Sequence, residues 1–220
     1  VHFVNQEDFQ EAITKEAQED TTFFSGYDAD SMALESVTDF IKNSLPFFSQ
    51  HPQSLFEIRT KSARIDPLLK KKALPNCVIA FSLSPPQIAK EFDQKCPSIA
   101  ARLSAMQDLA KDGWLLGVRL DPLIYHKNFQ EHYSTFIDEI FISLPSKSIH
   151  SVTLGALRIP KKGLEQAKSA YPKEALFATL PYKESVEEEM LDICKNLLYQ
   201  KLEKERIFIC PSSSQEVVEA

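Results

Sequence analysis

The chain has 220 residues, of which 43% are apolar and 25% charged, with a formal net charge of -6. That length supports one ordinary domain with a sizeable core, and the acidic balance argues against gripping nucleic acid by bulk electrostatics. No apolar run approaches the roughly 20 residues that a membrane span needs.

His2, Phe3 and Val4 form a short apolar run like the end of a strand, and Asn5 or Asp8 can cap the helix that follows. Residues 21–24 (TTFF) are β-prone. Asp30 or Ser31 stands at the N-cap of a helix predicted over 32–48, where Leu34, Val37, Ile41 and Leu45 recur at helical spacing. Residues 55–60 read as a strand, 65–72 as a short helix and 77–82 as a buried strand. Pro85 and Pro86 sit where a first helical turn can begin. Ser98 caps a helix over 97–111 striped by Ile99, Leu103, Met106 and Leu109, and Gly113 ends it. A strand over 114–120, a helix over 129–144, a strand over 151–159 with a basic end at Arg158, and a helix over 160–170 follow. A charged amphipathic helix over 184–202, a short strand over 206–210 and a frayed serine-rich tail close the chain.

Strands thus alternate with helices at spacings of roughly 25–40 residues, the rhythm of a parallel sheet. About six βα units fit, short of the eight of a closed barrel. The expected fold is α/β, a partial (β/α)6-type open barrel of parallel strands. Residues 1–180 would form the barrel, and 181–220 would add a C-terminal helix, a short strand and a tail packed on it.

Cys77, Cys96, Cys194 and Cys210 stand far apart with no CxxC spacing, so they spell no zinc or iron–sulfur motif and the chain is expected to bind no metal through them. They read as reduced, mostly buried thiols of a cytoplasmic protein. There is no GxGxxG, P-loop or GxSxG.

The most informative pattern is shared by three strands. Residues 55–61 (LFEIRTK), 77–82 (CVIAFS) and 115–121 (LLGVRLD) are apolar along their length and end in Arg59 and Lys61, in Ser82, and in Arg119 and Asp121. A parallel barrel collects its working side chains at the mouth formed by such ends, and these would suit a small charged ligand. Arg59 and Lys61 share one side of their strand, where they are either solvated or ligand-facing. Ser82 can bond a ligand, while Ser84 is better suited to cap a helix. Arg119 and Asp121 form either a structural ion pair at the rim or a substrate-contacting pair. His126 and His132 lack partners at metal-ligand spacing, and Tyr125 and Tyr133 could stack on a base but read better as ordinary packing.

The blocks FEIRTKS (56–62), VIAFSLS (78–84), PSIAARLSA (97–105) and GVRLDPLI (117–124), with the earlier SGYDADSMALE (25–35) and FVN (3–5), resemble in order the spore photoproduct lyase-like branch of the radical S-adenosylmethionine (SAM) enzymes. The likeness runs from the first residues to about Arg158. It implies a partial (β/α)6 barrel and a [4Fe-4S] cluster that cleaves SAM reductively to a 5′-deoxyadenosyl radical, which then abstracts hydrogen from a substrate. Lys61 would bind the SAM carboxylate and Ser82 its amino-acid or ribose part.

Two departures matter. The CxxxCxxC motif of that family is absent. Either the chain is truncated at its N-terminus and lacks its first barrel strand, which is the expectation, or it is a relative that lost the cluster; as it stands it has no thiolates to hold one, and no turnover is expected. The true lyase of that branch also keeps a hydrogen-donating cysteine in the stretch matching 25–29, where Tyr27 and Asp28 stand here, which argues against thymine-dimer repair on DNA. Two other readings stay open: a non-catalytic binding module on a degenerate barrel, and a barrel enzyme taking phosphorylated ligands at Arg59 and Lys61.

Overall fold

A computed structural model describes residues 6–26 and 29–210. Six parallel strands, β1 (Thr22–Ser25), β2 (Leu55–Thr60), β3 (Cys77–Ser82), β4 (Leu115–Leu123), β5 (Ile149–Ala156) and β6 (Ile207–Ile209), lie side by side in chain order. The sheet curls into a half-barrel, with β1 and β6 at its two ends among the described strands, which is the architecture expected from the βα rhythm. The expected strand at residues 2–4, the frayed tail after 210 and Tyr27 lie outside the described residues.

Helices α1 (Gln6–Glu16), α2 (Glu35–Thr38), α3 (Phe40–Phe48), α4 (Asp66–Leu69), α5 (Pro86–Phe92), α6 (Ile99–Lys111), α7 (Phe129–Ser143), α8 (Lys161–Ala170), α9 (Ala175–Thr179) and α10 (Glu184–Leu198) connect the strands. Ser98 caps α6 by accepting from the Ala101 N–H, as its sequence indicates, and the chain leaves that helix through Gly113 at φ +89. Ser84 does not cap α5; Pro85 holds that place, and no side-chain bond closes the turn. The turn at α9 had no counterpart among the expected elements.

The helix expected over 32–48 is two helices. Asp39 adopts a left-handed conformation at φ 48, which ends α2. The buried Glu35 carboxylate then accepts from the Ile41 N–H at 3.0 and 3.2 Å, supplying α3 with the acceptor its broken first turn lacks. Burial pushes that carboxyl above its usual range, and the Ile41 bond only partly offsets this.

Alternation gives the sheet two unlike faces. Phe56 and Ile58, Ile79 and Phe81, Leu116, Val118 and Leu120, and Val152 and Leu154 point to one side and are buried in the main core; Phe56, for instance, stacks on Phe48 of α3 at 3.7 Å between ring centroids. The opposite face is polar. The registers Arg59–Ala80–Gly117–Ser151 and Ser82–Arg119–Thr153 align small or charged residues across four strands of it.

Candidate functional site

A cleft of about 280 Å³ opens where β2, β3 and β4 end, and Arg59, Thr60, Lys61, Ser82 and Asp121 line it together with Gly26, Ala29 and Asp30 of the loop after β1. Four of the six residues singled out from the sequence, Lys61, Ser82, Arg59 and Asp121, thus meet at one rim. Arg119 does not join them, and Tyr27 lies outside the described residues.

Asp30 builds the near wall. Its Oδ1 accepts from the N–H groups of Met32 and Ala33, both at 2.9 Å, and from the Thr60 hydroxyl at 2.7 Å, while Oδ2 accepts from the Lys61 N–H at 2.6 Å. Asp30 therefore closes the turn that precedes α2, whose own N-cap is Leu34 with no side-chain bond, and it clamps the post-β1 loop to the end of β2. Gly26 allows this closeness: at φ +77, a Cβ there would lie 2.9 Å from the Arg59 carbonyl oxygen.

Lys61 reaches Asp93, just beyond α5, through an Nζ–Oδ1 ion pair of 2.5 Å. Asp93 also takes the guanidinium of the fully buried Arg102, whose Nη1 donates to Asp93 Oδ2 at 2.8 Å and to the Ser82 carbonyl at 2.9 Å, and whose Nε donates to the Pro97 carbonyl. Burial raises the Asp93 carboxyl, but Lys61 and Arg102 more than offset that and hold it below the usual range. Arg102 therefore links the strand that carries Ser82 to the carboxylate that holds Lys61.

Arg119 is corrected from a rim or substrate candidate to a buried structural cation. It lies flat along the polar face, and all five of its N–H donors have partners. Nε and Nη2 fork onto Glu57 at 3.0 and 2.5 Å, Nη2 also donates to Ser151 Oγ, and Nη1 donates to the carbonyls of Val118 and Ser151. It can lie flat because Gly117 has no Cβ, which would sit 2.7 Å from Nη2. Asp121 pairs instead with Arg158 at 3.6 Å and accepts from the Cys210 thiol at 3.5 Å. The expected Arg119–Asp121 pairing fails because Glu57, two strands away, supplies a better-buried fork.

Glu57 also accepts from Arg59 Nε and Nη2 at 3.3 and 3.2 Å. Burial would raise its carboxyl, but the hydrogen bonds and charge of Arg119, with Arg59 behind them, bring it below the usual range. Glu57, Asp93 and Arg102 were not anticipated. Alternation along 55–61 contained the first, since Glu57 shares a side with Arg59 and Lys61. Arg102 stands beside Leu103 and Met106, on the buried stripe of α6.

A larger, mostly apolar groove of about 530 Å³ runs between α1, β1 and α3, and among the described residues Asp30 is the only charged one lining it, whereas the smaller cleft gathers Arg59, Lys61, Asp30 and Asp121. His126 and His132 pack with their rings tilted at 33° and 5.2 Å between centroids, and among the described residues no three His, Cys, Asp or Glu side chains gather to hold a metal. All four cysteines are free, and burial pushes the Cys77 and Cys194 thiols up to about 12. These residues do not fit a [4Fe-4S] cluster, which needs several thiolates at one point. Tyr133 is a core residue whose hydroxyl accepts from the Ile124 N–H. No helix among the described residues is long and apolar enough to cross a membrane.

Fold and site together define a parallel α/β half-barrel that presents cations and a hydroxyl at the C-terminal ends of its strands. The family profile of spore photoproduct lyase matches residues 2–190, and the chain belongs to that family. It is 24% identical over 180 residues to the spore photoproduct lyase of Bacillus subtilis (strain 168), covering 79% of this chain and 53% of that protein. It is 22% identical over 139 residues to that of Clostridium acetobutylicum, covering 63% and 41%. The chain thus spans about half the length of these curated relatives. The fold also matches a spore photoproduct lyase variant solved with bound AdoMet and dinucleoside spore photoproduct, at TM-score 0.81 and 20% identity, covering 96% of this chain and 68% of that one.

Proposed function

We propose that this chain binds S-adenosylmethionine in the cleft at the ends of β2 to β4, with Lys61 taking the ligand's carboxylate and Ser82 donating to its amino-acid or ribose part. The observation carrying this reading is that the Lys61 and Ser82 side chains, on neighbouring strands, line one cleft. A zwitterionic ligand calls for a cation and a hydroxyl placed in this way. Lys61 is held by Asp93 yet 39% exposed, so it can turn toward a carboxylate while Arg102 keeps Asp93 neutralised. AdoMet would supply 5′-deoxyadenosyl radical chemistry only alongside a [4Fe-4S] cluster. The residues described here hold no such cluster, and their contribution is to bind and orient the cofactor. The free thiols suit a reducing, cytoplasmic setting.

Isothermal titration separates this reading from a phosphate-ligand barrel. The chain should bind AdoMet, and Lys61→Ala should weaken that binding at least about tenfold, the scale of one charge-assisted contact. Binding of a sugar phosphate without any response to AdoMet, or an unchanged AdoMet affinity in Lys61→Ala, would overturn it.

A further inference from the structure

The two ion groups beside the cleft share one plan. In each, a single carboxylate serves two cations, one buried and one facing the cleft: Glu57 serves Arg119 (3% exposed) and Arg59 (19%), and Asp93 serves Arg102 (0%) and Lys61 (39%). Each group keeps a surplus positive charge, and the cleft-facing member carries it. The rim also carries Asp30, bonded to the Thr60 hydroxyl and the Lys61 N–H, and Asp121, paired with Arg158, so Arg59 and Lys61 are two cationic points on a mixed-charge rim.

The Arg59 point has donors to spare. Its Nε and one Nη2 hydrogen are directed to Glu57 Oε1. Both Nη1 hydrogens and the second Nη2 hydrogen have no partner among the described residues, and they form the end of the fork, the geometry that receives an oxyanion bidentately. The fork is also held in place. Glu57 cannot follow Arg59 into solvent because Arg119 grips it from the other side with a guanidinium whose own donors are all used.

We propose that Arg59 is a second anion-binding residue of this cleft, which recognises a carboxylate or phosphate on the substrate while Lys61 holds the carboxylate of AdoMet. Glu57 is its positioning residue. This rests on the AdoMet reading for the occupant of the neighbouring subsite, and it makes the substrate an anionic molecule small enough to share the rim.

Titration calorimetry with pyrophosphate and with malonate, each in the absence and presence of saturating AdoMet, tests it and distinguishes phosphate from carboxylate recognition. The wild-type chain should bind at least one probe in both conditions. Arg59→Gln should weaken that probe about tenfold or more, and by at least about fivefold more than it weakens AdoMet, since the fork is lost. Arg59→Lys keeps the charge without the fork and should fall between the two, so it carries the test if the glutamine variant does not fold. Lys61→Ala should show the reverse preference. Binding of neither probe, an unchanged affinity in Arg59→Gln, or equal losses for probe and AdoMet would overturn the assignment. If AdoMet does not bind the wild-type chain but a probe binds through Arg59, the anion site stands and only the cofactor reading falls.

Discussion

Replacing Glu57 by glutamine tests whether the buried ion cluster behaves as its geometry requires. The wild-type carboxylate accepts two contacts from Arg119, at 3.0 and 2.5 Å, and two from Arg59, at 3.3 and 3.2 Å. Glutamine retains one carbonyl acceptor, turns an N–H donor toward the arginines, and leaves Arg119 buried without a counter-charge. Removing one member of a desolvated pair costs about 3–5 kcal/mol, a large part of the roughly 5–15 kcal/mol that holds a typical domain together. For a chain of this size each kcal/mol moves the melting point by about 2–4 °C, so the variant should melt roughly 6–20 °C lower. Urea unfolding followed by far-UV circular dichroism gives the free energy directly.

The pH dependence is a second readout. The folded carboxyl lies below its usual range, so its stabilisation is complete above the unfolded-state value of about 4.3 and is lost as pH falls through the folded value. The gap between wild type and variant should therefore narrow in acid. A melting drop under about 2 °C near neutral pH, or a gap that stays constant into acid, would refute the picture of a desolvated pair.

Two further outcomes follow from local geometry. Gly117→Ala places a methyl 2.7 Å from Arg119 Nη2 and 2.8 Å from the Ala80 Cβ; neither neighbour is free to yield, and urea unfolding should show a loss of about 1–3 kcal/mol. Titration with a chromogenic disulfide should modify the exposed Cys96 first and Cys210 more slowly, while Cys77 and Cys194, buried with thiols near 12, react only on unfolding.

The strands were the most legible part of the chain. The runs at 55–60 and 77–82 are continuous, β-rich and apolar, and both appear with those bounds. The helix at 32–48 misled because its apolar spacing continues through Asp39, whose left-handed turn depends on Glu35 reaching Ile41, a contact that periodicity does not encode. Convergence of Lys61 and Ser82 was legible because strand ends in a parallel sheet share one side. The partners of Arg119 were not, because Glu57 lies 62 residues away and only the register between strands brings the two together.

The sheet's neighbours in space are also its neighbours in sequence, from β1 through to β6. Each backbone ladder can therefore close as soon as its second strand has left the ribosome. Among the described strands none waits for a partner made much later, and β1 and β6 need never find one another for these ladders to form.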